Sequence, residues 1–114
     1  MLGFFAFYNC MKLTGSLTIS SGIESIVDRS FDGCENLTGT LKIPSSVKSI
    51  GSGAFIACYN LTGLNISSGV EAIGSHAFDT CRNLTGTLKI PSSVKSIGPE
   101  AFMLCEKINN IDIS

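Results

Sequence analysis

Tryptophan is absent from this chain of 114 residues, and only one histidine and 15% charged residues are present. Histidine most often carries acid–base chemistry near neutral pH, so a single copy disfavours most enzymes and any histidine-rich metal site. The net charge of −1 provides no basic field, which argues against nucleic acid or anionic lipid as a partner. No apolar run approaches the ~20 residues of a transmembrane helix, so membrane insertion is not expected.

The hydrophobic content is 44%, which is too high for a disordered tail. A chain of this length has room for one packed domain, so residues 1–114 are expected to form a single domain.

The sequence repeats itself at steps of 24, 24, 23 and 24 residues. Three columns define the repeat: a phenylalanine, a cysteine three residues later, and Leu or Ile three residues after that. The cysteine column consists of Cys10, Cys34, Cys58, Cys81 and Cys105. The whole unit reads F-x-x-C-x-x-L-T-G-x-L-x-I-x-x-x-V-x-x-I-G-x-x-A, and such agreement over four periods is not a chance event.

A second period spans two units, because residues 41–51 recur identically at 88–98. The residue after the Val/Ile column alternates in sign from unit to unit, in the order Glu24, Lys48, Glu71, Lys95. If units stack at ~5 Å, opposite charges become neighbours, and this predicts a charge ladder that identical units would lack.

Each unit predicts a strand, a turn, a short extended arm and a helical turn. Leu-x-Ile alternates apolar and polar residues as a half-buried strand does. Val-x-x-Ile-Gly is too short for a helix, whereas Ala-Phe-x-x-Cys-x-x-Leu has the three-residue spacing of a helical or 3₁₀ turn. The units can bury their apolar side chains only by stacking. We therefore predict a right-handed α+β repeat solenoid of about four and a half coils of 23–24 residues, with a parallel β-sheet and both ends falling mid-coil.

The motif Ile-Pro-Ser-Ser-Val-Lys-Ser-Ile-Gly-x-x-Ala-Phe-x-x-Cys-x-x-Leu-Thr-Gly-x-Leu resembles the BspA-like, treponemal-type leucine-rich repeat, over essentially the whole chain. The resemblance implies a curved solenoid from a larger cell-surface or secreted protein. It also implies adhesion or protein binding rather than catalysis, and it brings no catalytic residues to carry over.

The cysteines do not have metal-site spacing, because they lie a full coil apart and not in C-x-x-C pairs. Their count is odd, and stacked Cβ vectors would point in parallel, so buried free thiols are favoured over disulfides. His76 is expected to be a solvated loop residue without a ligand set. The repeated Asn36, Asn60 and Asn83 are expected to bond neighbouring backbone. No catalytic, metal or cofactor site is therefore predicted.

Two surfaces remain as candidates for function. The outward residues of the Leu-x-Ile strands form a flat polar interaction face for a host matrix protein, cell-surface protein or glycan: Thr18, Lys42, Asn65, Lys89 and Asp112. The open ends of the solenoid form a candidate edge for homo-oligomers: Phe4, Phe5, Ile111 and Ile113. The alternative is a structural spacer or intracellular scaffold without a ligand of its own.

Overall fold

The computed structural model describes residues 15–113 as a solenoid of parallel strands with about four turns. Longer and two-residue strands alternate along the chain, and each longer strand except the last is followed by a two-residue strand after a tight corner. In chain order the strands are β1 Ser25–Ile26, β2 Gly39–Ile43, β3 Ser49–Ile50, β4 Leu61–Ile66, β5 Ala72–Ile73, β6 Gly86–Ile90, β7 Ser96–Ile97 and β8 Ile108–Ile113.

The short arms form a four-stranded parallel sheet in the order β1-β3-β5-β7. Ser25 pairs with Ser49, Ser49 with Ala72, and Ala72 with Ser96. These steps reproduce the 23- and 24-residue spacing of the sequence, and they confirm that one repeat makes one coil.

The Leu-x-Ile strands are parallel as predicted, but they form two pairs, β2 with β4 and β6 with β8. Isolated bridges extend the first pair backwards, from Gly15 to Leu37 and from Thr18 to Lys42. Between β4 and β6, the Thr85 amide donates to the Thr62 carbonyl at 3.1 Å without a regular ladder. Register shifts occur after Gly39 and after Gly86, where the partner strand contains one extra residue, Thr62 in β4 and Asn109 in β8.

The core consists of the aligned apolar columns. Phe31, Phe55 and Phe78 are at most 1% exposed, and their rings stack with centroids 5.1 and 5.3 Å apart. The predicted cysteine, leucine and isoleucine columns are buried with them: Cys34, Cys58, Cys81, Leu37, Leu61, Leu84, Ile43, Ile66 and Ile90. One continuous core therefore runs along the solenoid.

The α+β assignment is wrong, because the described residues contain strands and turns but no helix. In the segment around Phe55, the amides of residues 54, 56 and 58 donate to carbonyls three residues back at 3.3–3.4 Å. The alternate amides, of residues 53, 55 and 57, donate to the next coil at 2.8–2.9 Å. A helix needs consecutive amides bonded within the segment. In this segment every second amide donates to the next coil instead, so no helix forms.

Candidate functional site: an exposed polar face and a histidine cluster

The five residues of the predicted interaction face are all exposed. In β2, the buried Leu41 and Ile43 flank the exposed Lys42, because successive side chains of a strand point to opposite sides. Lys42 is in register with Asn65 of β4, and Lys89 is in register with Asp112 of β8. The fold therefore aligns these side chains in a row across successive coils.

A groove of about 520 Å³ lies over the first part of this row. Its polar lining residues are Ser16, Thr18, Thr40, Lys42, Asn65 and Ser67. Hydroxyls, an amide and one ammonium group provide hydrogen-bond donors and acceptors. No aromatic side chain lines the groove among the residues the structure describes, so this surface can bind a polar ligand but offers no ring for stacking.

The candidate association edge is only partly within the described residues. Ile111 is 51% exposed and Ile113 is 73% exposed, both on β8. Phe4 and Phe5 lie outside the described residues.

The cysteines are free thiols at Cys34, Cys58, Cys81 and Cys105, as predicted, and Cys10 lies outside the described residues. Sγ of Cys58 donates to the Phe31 carbonyl at 3.3 Å, and Sγ of Cys81 donates to the Phe55 carbonyl at 3.2 Å. Burial raises the pKa of both thiols far above the ordinary value of 9.0. Cys105 is half-buried, and desolvation raises the pKa of its thiol to about 11. These thiols are packing groups, because the reactive form, the thiolate, is strongly disfavoured.

The predicted bonding of asparagine side chains to neighbouring backbone is confirmed at two positions. Nδ2 of Asn60 donates to the Glu35 carbonyl at 2.7 Å, and Nδ2 of Asn83 donates to the Tyr59 carbonyl at 2.7 Å. Both bonds cross to the preceding coil, so these amides hold adjacent turns together.

The alternating charges stack in register, since the Lys48 amide donates to the Glu24 carbonyl at 2.7 Å and the Glu71 amide donates to the Lys48 carbonyl at 2.8 Å. Within residues 15–113 their side chains form no ion pair within 4.0 Å. The charge ladder therefore consists of exposed opposite charges on neighbouring coils, without direct salt bridges between them.

His76 is not a simply solvated residue, because two carboxylates flank its ring. Nδ1 lies 2.7 Å from Oδ2 of Asp79, and Nε2 lies 3.5 Å from Oε2 of Glu100. Sequence reasoning missed this cluster because it sought a second histidine or a cysteine as partner. The signal was available in the repeat: His76 and Glu100 occupy the same column in successive coils.

These features define a parallel β-solenoid of the leucine-rich-repeat class. The family model that describes the BspA-type leucine-rich repeat region matches residues 1–114 in six copies. The chain belongs to this family.

Solved structures with the same fold come from bacterial proteins. The pneumococcal vaccine antigen PcpA is 34% identical, with a TM-score of 0.72, over 81% of this chain and 22% of its own. A leucine-rich cell surface protein from Faecalibacterium prausnitzii A2-165 is 28% identical, with a TM-score of 0.73, over 95% of this chain and 35% of its own. The T. pallidum leucine-rich repeat protein is 28% identical, with a TM-score of 0.62, over 78% of this chain and 51% of its own.

The chain thus spans between about a fifth and half of the length of these solved chains. A comparison with curated proteins found no match.

Proposed function

We propose that this chain is a non-catalytic protein-binding or adhesion module of a surface-exposed or secreted leucine-rich-repeat protein. The observation that carries the proposal is the row of exposed polar side chains, Thr18, Lys42, Asn65, Lys89 and Asp112, which parallel backbone segments of successive coils hold above a continuous core. Binding residues on regular elements keep their spacing, which favours recognition of a partner that extends over several coils.

The partner is a host matrix protein, a cell-surface protein or a glycan. The face carries Thr, Asn, Lys and Asp but none of the Trp, Tyr or Arg anchors that dominate tight interfaces. Each contact is therefore weak, and useful affinity comes from many coils acting together.

Location at the cell surface is supported by the relatives, since one solved structure is of a cell surface protein and another is of a vaccine antigen. No helix within residues 15–113 is long and apolar enough to cross a membrane. The alternative, a spacer or intracellular scaffold without a ligand, shares the fold but does not use the face.

Binding of the purified chain to immobilised matrix proteins and glycans, measured by surface plasmon resonance, tests the proposal. The variant Lys42→Ala with Asn65→Ala removes two registered side chains of the face. We expect it to weaken binding about 5- to 30-fold, since loss of the two contacts costs on the order of 1–2 kcal/mol.

The matched control is Lys95→Ala, which removes an exposed lysine on the side of the short arms. Equal loss of binding in the control and the face variant would contradict the assignment of the face. Absence of binding to every partner in the set would favour the spacer.

A further inference from the structure

His76 and Asp79, in the turn segment between β5 and β6, meet Glu100 of the turn segment between β7 and β8, so that three chemically complementary groups come together. One ligand atom from each residue lies within 4.8 Å of the others. The His76 side chain is 41% exposed and Glu100 is 51% exposed, while Asp79 is only 14% exposed. The ring is therefore accessible from solvent on the Glu100 side and packed on the Asp79 side.

Asp79 fixes the state of the imidazole. Its Oδ2 lies 2.7 Å from Nδ1 of His76, and its Oδ1 accepts a hydrogen bond from Oγ1 of Thr80 at 2.7 Å. An ionised carboxylate can only accept, so Nδ1 must be the nitrogen that carries hydrogen. In the neutral ring, Nε2 then has a free lone pair.

That lone pair faces a second carboxylate. Nε2 lies 3.5 Å from Oε2 of Glu100, so in the neutral ring two electron-pair donors face each other, and either a proton on Nε2 or a metal ion beside both atoms relieves their repulsion. Two ligands that each bind Zn²⁺ at 2.0–2.1 Å in a tetrahedral arrangement lie about 3.4 Å apart. The observed separation is that of one edge of such a site.

We propose that Nε2 of His76 and the Glu100 carboxylate bind a divalent transition-metal ion of the zinc class, with Asp79 as the positioning residue. A metal-binding histidine usually donates its other ring N–H to a carboxylate, which fixes the tautomer and raises the basicity of the ligating nitrogen. Asp79 does this here. Mixed imidazole and carboxylate ligation suits zinc better than calcium or magnesium. The remaining coordination positions are left for water.

The backbone fixes the two ligands relative to one another. His76 and Glu100 both have left-handed backbone, with φ of 56° and 61°, and the His76 amide donates to the Pro99 carbonyl at 3.1 Å. They are equivalent positions of adjacent coils, so their spacing is set by the stacking of the solenoid.

An earlier coil provides an internal comparison. Arg29 occupies the His76 column and Asp32 the Asp79 column, and Nη1 of Arg29 lies 3.4 Å from Oδ2 of Asp32. There the guanidinium supplies the cation beside the carboxylate. In the later coil, His76 replaces the arginine and Glu100 adds a second carboxylate. In our proposal the metal ion is the cation at this site.

Isothermal titration of the full, reduced chain with Zn²⁺ tests the site. We expect saturable binding of one ion that is abolished in His76→Asn, since asparagine tolerates left-handed backbone and preserves the fold. Glu100→Gln should lose most of the affinity. Asp79→Asn should weaken binding about 10- to 100-fold, the typical effect of losing an outer carboxylate. Glu106→Gln, an exposed acid of the same last coil, is the control and should bind normally.

The ¹⁵N chemical shifts of the His76 ring nitrogens distinguish the proposed positioning role of Asp79 from a role in stability alone. On addition of Zn²⁺, the Nε2 resonance of His76 should shift while Nδ1 stays protonated, and Asp79→Asn should change the tautomer balance of the metal-free protein. Absence of saturable binding, full binding by His76→Asn, or a thiolate charge-transfer band with Co²⁺ would overturn the proposal.

Discussion

Individual side chains stabilise this solenoid by stacking on their own copies in the next coil. The phenylalanine rings are parallel within 3–5°, and the column continues to Phe102 at 5.4 Å from Phe78. Offset stacking of this kind adds about 0.5–1.5 kcal/mol to the gain from burial. A residue in the middle of a column therefore has two such neighbours, and a residue at its end has one.

Phe55→Ala should lower the free energy of unfolding by about 3–5 kcal/mol, because it removes a fully buried ring with a stacked neighbour on each side. Urea denaturation followed by circular dichroism measures the change. Phe102→Ala is the matched control and should cost clearly less, since Phe102 is only half-buried. Equal costs for the two variants would contradict the column as the source of stability.

The buried thiols make stability depend on alkaline pH. The pKa of the Cys58 and Cys81 thiols is raised by burial in the folded chain, whereas the unfolded chain ionises its thiols near 9.0. The raised folded values mean that the stabilisation is complete below pH 9 and is lost as the pH rises above it.

We expect the free energy of unfolding to fall above pH 9 by about 1.4 kcal/mol per pH unit for each buried thiol. Denaturation at a series of pH values from 7 to 10.5 checks this slope. The double variant Cys58→Ala with Cys81→Ala should have a flatter slope than the parent chain. An identical slope in both proteins would show that other groups cause the alkaline loss.

At the scale of the elements, the two-coil period has a steric cause in addition to alternating charge. A Cβ on Gly69 would overlap the carbonyl oxygen of Ser45 in the preceding coil. The equivalent position of the alternate coils is Ser46 or Ser93, and Oγ of each donates to a carbonyl of the coil before it at 2.7 Å. Two kinds of contact between coils therefore alternate along the solenoid. At one the backbone of two coils approaches closely at glycine, and at the next a serine side chain donates a hydrogen bond.

Gly69→Ala should destabilise the chain by about 1–3 kcal/mol, because the inserted methyl group forces the corners of two coils apart. Thermal unfolding by differential scanning calorimetry measures the loss. Gly22→Ala, in the same column, is the control: no described heavy atom lies within 4 Å of a Cβ built there, so we expect little change. Equal losses in the two variants would contradict the steric explanation, because only Gly69 has a close neighbour.

At the scale of the whole molecule, each coil is bonded only to the coils beside it, so the solenoid behaves as a one-dimensional stack. The side of the last described coil that faces away from the stack exposes apolar groups at Ile97, Met103, Leu104, Ile111 and Ile113. Such a surface, together with the unpaired edge of β8, is a template for another strand.

The isolated chain should therefore self-associate through β8 at micromolar concentration. Ile111→Lys with Ile113→Lys should restore the monomer in sedimentation velocity, since two charges at the edge oppose strand pairing. Leu104→Lys changes an exposed apolar position of the same surface outside the strand, and it should reduce association less than the β8 double variant. A parent chain that sediments as a monomer would contradict this edge as an association surface.

The repeat pattern alone was enough to predict the coil length, the parallel stacking, the buried columns and the free thiols. It was enough because every coil repeats the same pattern, and a pattern that recurs at 23–24 residues can bury its apolar columns only by stacking like on like. The outward position of Lys42 and Asn65 follows from the same alternation along a strand.

Three further features depend on how the coils pack against one another. The predicted helical turn is absent, because alternate amides around Phe55 bond to the next coil. The spacing of apolar residues within one segment does not indicate whether its amides bond within the segment or to the next coil. The approach of Ser45 to Gly69 depends on how two corners meet. The contact of His76 with Glu100 joins residues 24 positions apart, and side-chain direction within the stacked coils brings their atoms to 3.5 Å.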